Sequence, residues 1–85
     1  MRVVLEYHDI GHDATYIPIF VASKAKVIRQ YTSFWSINPR IVFEVKDYNH
    51  LQEILALIYP QSNYGIKLIR VGTWRDKIKK LFKKV

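Results

Sequence analysis

The chain has 85 residues, nearly half of them apolar, with 14 Lys+Arg against 7 Asp+Glu and no cysteine. That suffices for one modest core and not for two, and it excludes disulfides, thiolate metal sites and cysteine nucleophiles. The net charge of +7 is uneven: residues 1–72 hold eight Lys/Arg and six Asp/Glu (+2), whereas residues 73–85 hold six Lys/Arg and Asp76 (+5), which points to an anionic partner for the C-terminal end.

Glu6, Asp9 and Asp13 interrupt the first twenty residues, which therefore lack the pattern of a signal peptide. No stretch approaches the roughly 18 apolar residues of a spanning helix, so a cytoplasmic protein is expected. Arg2 to His8 reads as the first strand, with Val3, Leu5 and Tyr7 on one face and Val4, Glu6 and His8 on the other. Gly11, with Asp9, His12 and Asp13, marks a loop.

Residues 14–36 admit two readings. In one, Thr15 caps a helix with Pro18 in its first turn and Ile17, Phe20, Val21 and Lys24 at helical spacing; a strand from Val27 to Ser36 follows. In the other, Tyr16 to Ala22 is a strand and Ser23 caps a helix carrying Val27, Ile28, Tyr31, Phe34 and Trp35. The first gives a compact βαββαβ order with short connections and is preferred. Ile37-Asn38-Pro39 then turns the chain into a strand from Arg40, where Ile41, Phe43 and Val45 alternate with Val42, Glu44 and Lys46. Asp47 is placed to cap a helix whose Leu51, Ile54, Leu55 and Ile58 form an apolar stripe, and Pro60 stops it. After Gln61-Ser62-Asn63, Gly65 opens a last strand in which Ile66 and Leu68 oppose Lys67, Ile69 and Val71. Thr73 and Asp76 have capping-box spacing before a C-terminal helix from Trp74. No repeat and no low-complexity linker is evident.

These elements predict one α+β domain: a two-layer, ferredoxin-like βαββαβ sandwich over residues 1–72 with an added basic amphipathic helix over 73–85. Val4, Glu6, His8, Val42, Glu44 and Lys46 would face outward on an open sheet, a common place for a nucleic acid or for the partner in a homodimer, and a homodimer is expected.

The C-terminal segment is the strongest functional signal. Trp74, Ile78, Leu81, Phe82 and Val85 make an apolar stripe flanked by Arg75, Lys79 and Lys83 on one side and Lys77, Lys80 and Lys84 on the other. Clustered lysines suit phosphate contacts with DNA or RNA, and more weakly an anionic membrane surface. The simplest alternative packs the stripe on the domain's own core and leaves the lysines in solvent; another makes the sheet or the last helix a docking surface for a protein partner, with no nucleic-acid role. Lys77, Lys80, Lys83 and Lys84 are the first candidates, with Arg75, Lys79, Arg29 and Arg40 behind them. Arg29, Tyr31, Trp35, Arg40 and Phe43 also interleave rings with cations, but an RNA-recognition motif needs three alternating aromatics in its third strand, and Arg40 to Lys46 supplies Phe43 alone.

His8-Asp9-Ile10-Gly11-His12-Asp13 gathers imidazoles and carboxylates, the ligand types of a divalent metal, with Asp9, His8, His12 and Asp13 as candidates. The string matches the motif of HD-type phosphohydrolases, but those are larger and all-helical, with further histidines on other helices; here the string follows a strand. Asp9 closing the first strand, with Tyr31-Thr32-Ser33-Phe34 in the second, resembles the small ferredoxin-like nucleases and scaffolds of CRISPR spacer acquisition. That resemblance implies metal-dependent phosphodiester cleavage at Asp9. Pro18 in the first helix and the basic C-terminal end depart from it. No cofactor is otherwise expected. His50 is expected to be solvated or to cap its helix.

Overall fold

The computed structural model describes residues 1–32 and 37–72. The elements run β1 (Arg2–Tyr7), α1 (Gly11–Lys24), β2 (Lys26–Thr32), β3 (Pro39–Glu44), α2 (Tyr48–Ile58), a 3-10 turn over Tyr59–Gln61 and β4 (Ile66–Val71). The expected C-terminal helix, with its capping box and lysine rows, lies outside the described residues, as does the end of the strand expected to reach Ser36.

One four-stranded sheet has the order β2-β3-β1-β4, every neighbouring pair antiparallel. The helices lie together on one face. Val3, Leu5 and Tyr7 of β1, Ile41 and Phe43 of β3, and Val45 just beyond it pack against Ile17 and Val21 of α1 and Leu51, Ile54 and Ile58 of α2. The result is a two-layer α+β domain whose other sheet face carries no helix among the described residues.

β1, β3 and α2 follow from periodicity as expected. Asp47 caps α2 by accepting from the His50 amide at 2.8 Å. His50 is more than solvated: its Nδ1 accepts from the Lys46 amide at 3.0 Å and its Nε2 meets the Lys24 carbonyl at 2.7 Å. An amide can only donate, so Nδ1 is bare and Nε2 carries the proton. The ring thus ties the start of α2 to the end of α1.

The helix reading of residues 14–24 holds, but not its start. α1 begins at Gly11, so Thr15 is internal and its hydroxyl bonds back to the Gly11 carbonyl at 3.4 Å. Pro18 sits mid-helix, where it lacks the N–H that would reach Ala14. The earlier start has a physical reason. Asp13, Ile17 and Val21 form the buried stripe at i, i+4 and i+8, and helix geometry must reach Asp13 to point it inward.

Two register shifts correct the face assignments. Leu5 pairs with Leu68 and Val4 with Arg70, so Ile69 is an extra residue in β4. Phe43 pairs with Val27 and Val42 with Arg29, so Ile28 is the extra residue in β2. Each bulge breaks the two-residue alternation. Val71 therefore returns to the core side with Ile66, where both pack on the core cluster, instead of opposing it.

The matched bulges expose a repeat that the linear reading missed. Arg2-Val3-Val4-Leu5-Glu6 corresponds to Arg40-Ile41-Val42-Phe43-Glu44, and Lys26-Val27-Ile28-Arg29 to Lys67-Leu68-Ile69-Arg70. Asp9 and His12 stand to the first half as Asp47 and His50 stand to the second. The cross-strand pairs Arg2 with Glu44, Val4 with Val42 and Glu6 with Arg40 are reciprocal. A pseudo-two-fold axis therefore passes through the sheet between Val4 and Val42.

Candidate nucleic-acid interface

Directly paired residues share a sheet face, so the helix-free face can be listed by register. One row runs Arg29, Val42, Val4, Arg70; the next runs Tyr31, Arg40, Glu6, Lys67; a third runs Lys26, Glu44, Arg2. The bulge residues Ile28 and Ile69 join the first row at a groove of about 470 Å³, which Arg2, Arg29, Arg40 and Arg70 also line.

Both carboxylates on this face are committed. Arg40 Nε donates to Glu6 at 3.1 Å, and Arg2 Nε donates to Glu44 at 3.0 Å, with the terminal amine 3.2 Å from the other Glu44 oxygen. Hydrogen bonds from Arg2 and then from the terminal amine hold the Glu44 carboxyl below its usual range. Hydrogen bonding to Tyr31, then to Glu6, raises the already high pKa of Arg40. Arg29 lies over the Tyr31 ring, 4.8 Å from its centroid. Among the described residues no carboxylate pairs with Arg29, Arg70, Lys26 or Lys67.

The charge count sharpens this. The face holds Arg2, Lys26, Arg29, Arg40, Lys67 and Arg70 against Glu6 and Glu44, which is 6 − 2 = +4. The remainder of residues 1–72 holds Lys24 and Lys46 against Asp9, Asp13, Asp47 and Glu53, which is 2 − 4 = −2. A net of +2 therefore conceals a polarised domain.

Of the sequence candidates, Arg29 and Arg40 both fall on this face. Lys77, Lys80, Lys83, Lys84, Arg75 and Lys79 lie outside the described residues. Arg2, Lys26, Lys67 and Arg70 join the site, and sequence reasoning had passed them over; the repeated Arg-x-Val-x-Glu and Lys-x-Ile-Arg patterns are the signal that marks them.

The metal candidates do not converge. Asp13 is fully buried and turned to the loop before β4, where it accepts from Ser62 Oγ at 2.7 Å, the Asn63 amide at 2.8 Å and the Tyr64 amide at 3.2 Å. Burial pushes its carboxyl up, but those three bonds and nearby His12 outweigh burial and hold it below its usual range. Its oxygens are thus occupied in a structural anchor. His12 turns outward onto Tyr16, ring centroids 4.3 Å apart, and His8 leans on Tyr64 at 5.8 Å. Asp9 is exposed; burial first, and its charge second, raise the pKa of Tyr7. Among the described residues no three His, Asp or Glu side chains are grouped to hold a metal ion. None of the described helices is long and apolar enough to cross a membrane. Compared with protein-family models, curated proteins and solved structures, the chain finds no match.

Proposed function

We propose that this protein is a small nucleic-acid-binding protein that grips the phosphate backbone with little sequence specificity, using the helix-free sheet face together with the basic segment 73–85. The observation that carries the reading is the segregation of charge: +4 on one face and −2 on the rest of residues 1–72. Phosphate contacts need clustered cations and little else. A second copy laid on this face would oppose like charges, so the face suits an anionic partner better than a homodimer. Read from the other edge, the strand order is β4-β1-β3-β2, which with the βαββαβ succession supports a ferredoxin-like assignment.

The test is fluorescence anisotropy with labelled DNA and RNA at about 50 and 200 mM salt. Two variants accompany the native chain: Lys26, Arg29, Lys67 and Arg70 all changed to Gln, and Lys77, Lys80, Lys83 and Lys84 all changed to Gln. All four face positions are exposed, so circular dichroism should be unchanged. Each variant should bind more weakly, with the slope of log K against log salt flattened by up to about 3.6 if all four contacts are lost. Unchanged affinity and slope in both variants would refute the reading.

A further inference from the structure

The pseudo-two-fold axis says what form of nucleic acid the face fits. Lys26 and Arg29 on β2, and Lys67 and Arg70 on β4, are two copies of one cationic rail. β2 and β4 are the two edges of the sheet and run antiparallel, since three antiparallel pairings separate them. Three strand spacings put the rails about 14 Å apart at the backbone, with long side chains free to lean either way. Between them the ion pairs Arg40–Glu6 and Arg2–Glu44 balance the side-chain charges, and Val4 and Val42 sit on the axis.

Two antiparallel rails related by a two-fold axis are the symmetry of duplex nucleic acid, whose antiparallel backbones are exchanged by dyads perpendicular to its length. We infer that the face binds double-stranded nucleic acid with a duplex dyad on the Val4–Val42 axis, one rail to each backbone. This rests on the phosphate-binding reading above and makes it specific.

A single strand fits less well on two grounds. It has a direction and no dyad, so it would use the rails unequally. It is also held mainly by stacking bases on aromatic rings, and among the described residues the groove offers Tyr31 alone, already beneath Arg29. Across the axis from Tyr31 stands Gly72, which has no side chain to stack.

The experiment compares a short blunt-ended DNA duplex, the RNA duplex of the same sequence and each separated DNA strand, all fluorescein-labelled, against the native chain, Arg29→Gln and Arg70→Gln. Higher charge density alone favours a duplex, so the decisive readout is the pair of single variants. Each should weaken duplex binding by the same factor and flatten its salt slope by about 1. Tighter binding of the DNA or the RNA duplex tells B-form from A-form as the better fit, and both agree with the inference. Separated strands bound as tightly as the duplexes would overturn the inference and leave phosphate binding intact. Losses for Arg29→Gln and Arg70→Gln that differ several-fold would overturn the two-fold placement. Salt-dependent binding to none of the probes would remove the underlying reading itself.

Discussion

The two halves of the chain share their strands and part company where those strands enter helices. In the second half, Asp47 caps α2 and His50 reaches back to the Lys46 amide and across to Lys24. In the first half, Asp9 and His12 occupy the corresponding positions, yet α1 has Ile10 at its N-cap with no side-chain cap bond, and His12 faces outward. Gly11, at φ +53, redirects the chain there. α1 instead contributes Asp13, which anchors the loop before β4. The matched residues of β1 and β3 keep their roles, and residues matched at the ends of the sheet do not. The duplicated pattern therefore specifies a surface, the paired rails and the reciprocal ion pairs, more tightly than it specifies how each helix starts.

The largest test of the equivalence lies in the core. Leu5 and Phe43 are counterparts, both fully buried. Leu5→Ala and Phe43→Ala should each cost about 3–4 kcal/mol in urea unfolding, a large part of the total for a domain of this size. A loss confined to one of the two would show that the halves share a pattern without sharing a core.

Asp13 breaks the equivalence, and its removal should cost nearly as much. Asp13→Ala removes the buried acceptor shared by Ser62 Oγ and the Asn63 and Tyr64 amides, a loss of about 3 kcal/mol. A pH series adds a signed check. The folded pKa of Asp13 lies below its ordinary 3.8 and that of Glu44 below its ordinary 4.5. A depressed carboxyl stabilises the fold above its unfolded pKa and loses that contribution as pH falls through the folded value. Stability should therefore hold down to about pH 4.5 and decline below it, less steeply in Asp13→Asn. Stability that rises on acidification over that range would contradict both assignments.

Part of this arrangement is legible in the sequence and part is not, for identifiable reasons. β3 and α2 can be read because alternation passes into an apolar stripe through Asp47, three consistent signals in a row. α1 is obscured because its buried stripe includes the charged Asp13, while Thr15 and Pro18 imitate a later start. Ile28 and Ile69 cannot be placed by period, since a bulge is one residue that breaks the period. The repeat hides because its segments are short and the helices between them are unrelated. The basic face hides behind the domain's own acids, whereas the charge of residues 73–85 is offset by Asp76 alone and is conspicuous.

The smallest expected effect is the most direct measure of how far the halves diverge. Asp47 bonds the His50 amide, so Asp47→Ala should cost about 1 kcal/mol. Asp9→Ala, at the matching position, should cost within about 0.5 kcal/mol of nothing, the range of an exposed site without special contacts. The histidines extend the contrast. His50→Ala removes two bonds linking the helices and should cost about 1–2 kcal/mol, whereas His12→Ala removes an exposed ring contact with Tyr16 and the smallest of the influences on Asp13. His50→Gln separates hydrogen bonding from ring shape, because an amide offers one acceptor and one donor but cannot hold them at imidazole spacing. Partial recovery in His50→Gln would place the stabilisation in the bonds themselves. No recovery would place it in the span of the ring, which bridges an amide before α2 and a carbonyl at the end of α1 in one rigid plane.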